Sequence, residues 1–187
     1  MSVTDKIPES FNKKIEEIKK KYPSAKSAVM PALYLAQEHF GFISHEAIEW
    51  VSKVIEMPPI QVREVATFYS MYYKKPIGKY HFQVCRTLSC AVRGARELTQ
   101  KLADTFHVDP HEVTPDGMFS YEEVECLGSC GTAPMCQIND RYFENLDGEK
   151  LFSLIEKIKK EKPELWLSAV NDSLGEGLSE YPKSKVV

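Results

Sequence analysis

The chain has no apolar run long enough to cross a bilayer. Met1 to Pro8 hold neither the apolar core of a secretion signal nor the Arg-rich amphipathic stretch of an organelle-import leader. A cytoplasmic protein is expected, with any association with the inner membrane made through a partner. Charge of one sign is equally scarce: 24 Lys and Arg stand against 27 Asp and Glu, a net charge of −3. That balance argues against non-specific binding to nucleic acid or to an anionic membrane surface. No G-x-G-x-x-G follows a strand-like segment, so the chain lacks a dinucleotide site of that kind. No C-x-x-C pair is present either, which removes the usual motif of a thiol–disulfide oxidoreductase. His39, His45, His81, His107 and His111 show no metal-ligand spacing with one another and read as surface or core residues.

What the chain does have is five cysteines, four of them in two pairs. Cys85-Arg86-Thr87-Leu88-Ser89-Cys90 puts four residues between its thiols, and Cys126-Leu127-Gly128-Ser129-Cys130 puts three. Thiols so near in sequence can point at one centre, while the pairs meet only after folding, so a shared metal centre would be part of the fold. Four thiolates suit tetrahedral zinc or an iron–sulfur cluster. Structural zinc ribbons usually set two residues between paired cysteines, in tight knuckles. The wider loops here, with Ser89, Gly128, Ser129, Gly131 and Thr132, let backbone N–H groups approach bridging sulfides as well as cysteine sulfurs. That environment fits a [2Fe–2S] cluster, whose oxidised charge of about −2 N–H donors stabilise. Glu123 and Glu125, if close, would oppose reduction. Structural zinc and merely buried thiols stay open as alternatives. Disulfides fit poorly, because five cysteines cannot all pair and a chain of this length can hold a core without staples. Cys136, in Pro134-Met135-Cys136-Gln137-Ile138, reads as core packing on a strand.

The hydrophobic pattern predicts an α+β chain. Residues 8–22 place Phe11, Ile15, Ile18 and Tyr22 on one side of an amphipathic helix that Pro23 ends. Its lysines read as a solvated face. Residues 25–40 give a second helix with Gly41 as its stop, Ser44 caps a third that runs to Met57, and Pro58-Pro59 opens a fourth. Four short helices in succession imply a small bundle over residues 1–75. The run Phe68-Tyr69-Ser70-Met71-Tyr72-Tyr73 exceeds what one helix face can bury, and is expected either at a subunit interface or against the next domain. From residue 76 the period changes. A strand over 79–84 ends at Cys85, a helix follows with Ala91, Ala95, Leu98 and Leu102, and a second strand over 119–125 ends at Cys126. Met135–Ile138 and Arg141–Leu146 read as a hairpin around Asn139-Asp140, and Asp147 caps a last helix. The order β-α-β then β-β-α over residues 76–162 matches a thioredoxin-like sandwich, in which Ala133-Pro134 is the place for a cis proline. Residues 163–187 form a C-terminal extension: a short docked helix around Trp166, Leu167 and Val170, then a partly disordered tail.

The four cysteines, Ala66-Thr67-Phe68-Tyr69 within the helical region, and the segment Cys126-Leu127-Gly128-Ser129-Cys130-Gly131-Thr132-Ala133-Pro134 together resemble one family. It is the NuoE family, the thioredoxin-like [2Fe–2S] ferredoxin subunit of NADH–quinone oxidoreductase, respiratory complex I. The likeness covers residues 8 to 160. It implies that Cys85, Cys90, Cys126 and Cys130 ligate one [2Fe–2S] cluster. It implies also that the chain serves the enzyme without catalysing alone, passing electrons beside a larger flavoprotein subunit that binds NADH and FMN. Similar subunits occur in NAD-dependent hydrogenases and formate dehydrogenases. A zinc-stabilised interaction module is the reading of another class. The extension from Pro163 departs from the compact family pattern.

Overall fold

The computed structural model describes residues 8–163 and Leu165. The docked helix and tail expected beyond Leu165 lie outside the described residues. The described chain divides into two compact units, the first ending at Pro76 and the second beginning at Ile77.

The first unit is helical. Helix α1 (Glu9–Lys19) starts behind Pro8 and turns Ile15 and Ile18 inward. The pattern over 25–40 resolves into a 3-10 turn (Ala25–Ala28) followed by α2 (Val29–Phe40). Pro31 explains the break. It has no N–H to give, so regular helical bonding can only develop after it. Gly41, at φ 78°, stops α2 in the left-handed conformation, with its N–H on the Gln37 carbonyl at 2.8 Å. Ser44 caps α3 (His45–Ile55) through an N–H bond from Ala47 at 3.1 Å, and α4 (Pro59–Phe68) opens on its proline.

The core of this unit joins Leu33, Leu35, Trp50, Val51, Ile55 and Val62. Its buried polar groups are satisfied: Trp50 Nε1 donates to Asn12 Oδ1 at 3.3 Å, and the Gln37 amide donates to the Met71 carbonyl while accepting from the Tyr73 N–H. The aromatic run divides between core and surface. Tyr72 is fully buried in the bundle's own core, its hydroxyl on the Met30 carbonyl at 3.0 Å, and Phe68 is 80% exposed.

The second unit is built on a four-stranded sheet of order β2-β1-β3-β4, where β1 is Tyr80–Cys85, β2 Phe119–Val124, β3 Cys136–Ile138 and β4 Arg141–Phe143. Strands β1 and β2 run parallel, with Cys85 opposite Val124, and β1 pairs antiparallel with β3, with Val84 opposite Cys136. The connection between the parallel strands is not one helix, as the apolar spacing suggests, but two: α5 (Leu88–Val92) and α6 (Ala95–Phe106). Gly94 between them stands at φ 100°, which a side chain rarely adopts, and this breaks the helix. Helix α7 (Gly148–Glu161) starts at Asp147, whose side chain accepts from the Lys150 N–H.

Tyr80, Phe82 and Val84 lie in one core with Leu98, Leu102 and Phe106 of α6 and Leu151, Ile155 and Ile158 of α7. The rings of Phe106 and Phe119 stack at 4.8 Å. The alternate residues of β1, His81 and Gln83, are buried too, so the strand is covered on both faces. The Ala133–Pro134 peptide is cis, as the fold led us to expect.

Candidate metal centre

Parallel strands deliver their C-terminal ends to the same side of a sheet. Strand β1 ends in Cys85, and β2 ends two residues before Cys126, so both cysteine loops leave the same end of the sheet. Cys90 sits in α5 just beyond the first loop, and Cys130 opens a 3-10 turn (Cys130–Thr132) beyond the second. Cys85 and Cys90 are buried, whereas Cys126 and Cys130 are exposed. The centre therefore has an inner pair and an outer pair.

The sulfurs of Cys126 and Cys130 lie 3.6 Å apart, and the Cys85 and Cys90 thiols shift each other's pKa. Among the described residues, no three or more Cys, His, Asp or Glu side chains close on a point that could hold one metal ion. The thiols meet as two pairs at one end of the sheet, a donor set that a metal centre can use.

Each loop also acts on the thiols of the other. The Leu127 backbone, from the second loop, works to lower the Cys85 thiol, while the Thr87 and Ser89 side chains, from the first, work to lower Cys126 and Cys130. Thr87 Oγ1 lies 3.3 Å from Cys85 Sγ, and the Gly128 N–H donates to Cys126 Sγ at 3.4 Å. Each pair then has one thiol held low and one held high. Burial works to raise Cys85, but the bonds from Thr87, Leu127 and Cys90 outweigh it and lower its pKa. Its neighbour Cys90 is pushed up to about 11 by burial and by sharing a proton with Cys85. The Gly128 N–H lowers Cys126, and the Cys126 thiol raises Cys130. Two like groups that cannot both ionise alone behave in this way, and cations between them would allow all four to do so. Donor type, pairing and N–H groups aimed at sulfur all fit a thiolate-held cluster.

Cys136 is fully buried in β3, where burial raises its pKa; it belongs to the core. Glu125 is answered by Arg86, whose Nη2 and Nε reach its Oε1 at 2.6 and 3.1 Å, and Glu123 accepts from the Thr99 hydroxyl at 3.0 Å.

One polar group escapes a reading of the sequence alone. His81, which reads there only as a surface or core histidine, places Nδ1 2.8 Å from Ser120 Oγ and Nε2 3.1 Å from Glu122 Oε1; Gln83 donates to the same carboxylate, and His111 meets its other oxygen at 3.1 Å. The signal lies in the register, because His81 faces Ser120 and Gln83 faces Glu122 across parallel strands. Burial raises the Glu122 carboxyl, yet the bonds from His81 and Gln83 outweigh that and hold it below its usual range.

A thioredoxin-like α/β unit that offers four thiols at one end of its sheet is the class that fold and site define. The chain belongs to the thioredoxin-like [2Fe–2S] ferredoxin family, whose model matches residues 15–159. It is 43% identical over 159 residues to an NADH-quinone oxidoreductase subunit of Rickettsia bellii, a match covering 81% of this chain and 95% of that one. It is 45% identical over 151 residues to an NADH-quinone oxidoreductase subunit of Thermus thermophilus, covering 79% and 83% of the two chains. Among solved structures, an NAD+-reducing [NiFe]-hydrogenase in the air-oxidized state matches with a TM-score of 0.64 and 25% identity over 73% of this chain. The match spans only 23% of the hydrogenase chain. The described residues contain no helix long and apolar enough to cross a membrane.

Proposed function

We propose that this chain is the electron-transfer subunit of the NADH dehydrogenase module of an NADH–quinone oxidoreductase. Cys85 and Cys90 would hold one iron of a [2Fe–2S] cluster, and Cys126 and Cys130 the other. When bound, the cluster accepts and releases one electron at a time, which is chemistry no side chain here supplies. The protein's part is to hold the cage still: two parallel strand ends fix the loops, and N–H and hydroxyl donors aimed at the sulfurs stabilise the cluster's negative charge. The observation that carries this reading is the delivery of both cysteine loops to one end of the sheet by two parallel strands, with the Cys126 and Cys130 sulfurs 3.6 Å apart.

The partner is the NADH- and FMN-binding flavoprotein subunit of the same complex, together with its other hydrophilic subunits. Identity favours this assembly over a hydrogenase. The quinone-linked relatives share 43–45% of residues over most of this chain, against 25% for the hydrogenase. Co-expression with the flavoprotein subunit tests the assignment. The two chains should co-elute in equal amounts with flavin bound, and separate elution at micromolar concentration would refute it.

A further inference from the structure

The second cysteine loop is gripped from outside by β4 and the segment that follows it. The Tyr142 hydroxyl donates to the Leu127 carbonyl at 2.9 Å, one residue after Cys126. At the other end of the loop, the Ser129 and Thr132 hydroxyls, which flank Cys130 and Gly131, both donate to Glu144 Oε1, the second at 2.6 Å. The backbone closes behind them: the Asn145 N–H bonds to the Thr132 carbonyl at 2.7 Å, and the Leu146 N–H to the Pro134 carbonyl at 3.0 Å. Leu146 is buried in the core of the unit, so the strap is anchored where the loop is not.

A loop with Gly128 at φ 83° and two exposed cysteines has little burial of its own to fix it. Two hydroxyls converging on one carboxylate oxygen make charge-assisted bonds, stronger than neutral ones, and they close on either side of a candidate ligand. We propose that Glu144 is a positioning residue for the centre. It fixes the loop that carries Cys126 and Cys130, and its negative charge, set beside the outer pair, holds the reduction potential of the centre down. This inference rests on the cluster reading above, but its first half concerns the loop alone.

Two variants separate the parts. Glu144→Gln keeps a carbonyl oxygen that can accept both hydroxyls and removes the charge; Glu144→Ala removes both. Amide hydrogen exchange over residues 126–132, measured on the full-length chain stripped of iron, should be several-fold faster in Glu144→Ala than in wild type and close to wild type in Glu144→Gln. With the cluster in place, redox titration followed by EPR should move the midpoint to more positive values in Glu144→Gln, because reduction adds a negative charge that the carboxylate opposes. Glu144→Ala should also lose iron faster on dilution into chelator. Unchanged exchange in Glu144→Ala, or an unchanged midpoint in Glu144→Gln, would overturn the proposal. Failure of wild type to hold iron and sulfide would instead refute the cluster reading, and the exchange experiment would still stand as a test of the clamp.

Discussion

Arg86 reaches Glu125 across the mouth of the centre at 2.6 Å, joining the residue after Cys85 to the residue before Cys126. Both side chains are exposed, with 57% and 73% of their surface in solvent, so the pair matters less for holding the fold than for its local field. Arg86→Ala should leave the melting temperature unmoved and shift the midpoint potential of the centre downward, because Glu125 would then stand unneutralised beside it. An upward shift in redox titration would contradict this.

Cysteine substitutions should sort by position. Cys85→Ser, Cys90→Ser, Cys126→Ser and Cys130→Ser should each lose most of the iron and sulfide bound after anaerobic purification, whereas Cys136→Ala should keep a wild-type content. The last variant should still unfold at lower denaturant, by about 1 kcal/mol, since it removes a buried sulfur from the core. Iron analysis and urea titration of the same preparations check both halves.

Acid should act through Glu122. Its folded pKa is depressed from an ordinary value of 4.5, because the bonds from His81 and Gln83 outweigh burial. A depressed carboxyl contributes stability that is present above its unfolded pKa and lost as pH falls through the lower folded value. Glu122→Gln should therefore be less stable than wild type at pH 7, and the gap should shrink below about pH 4.5. Urea unfolding at neutral and acidic pH measures this directly; a gap that widens in acid would refute the assignment.

Gly78 is a close-approach position. A Cβ there would run into the backbone of Phe119, and the Gly78 N–H donates to Ser120 Oγ at 2.8 Å. The backbone of a paired strand cannot yield cheaply, so Gly78→Ala should cost about 2 kcal/mol or more, close to the upper range for single substitutions. By comparison, Ser44→Ala removes one helix cap and should cost about 1 kcal/mol.

Much of this is legible in the residues. Ser44, Gly41, Pro59 and Asp147 mark helix ends because each supplies a specific backbone conformation or a cap, and the structure uses all four. Cys85 and Cys126 read as loops beyond strand ends, and parallel pairing puts them together. What stays hidden depends on long-range contact. Apolar spacing from Ala91 to Leu102 does not show that Gly94 turns left-handed between two helices. His81 and Gln83 look like an outward polar face until register sets them against Ser120 and Glu122. Tyr72 looks like interface material, and only the folded bundle shows the Met30 carbonyl that its hydroxyl reaches. Glu144 carries no motif; its role appears only once Ser129 and Thr132 converge on it.

The most direct measurement is iron and acid-labile sulfide analysis of anaerobically purified protein, followed by EPR after dithionite reduction. The predicted result is about two irons and two sulfides per chain and a rhombic signal from a single reduced [2Fe–2S] centre. Colourless protein holding one zinc per chain, and refusing iron and sulfide on reconstitution, would contradict it.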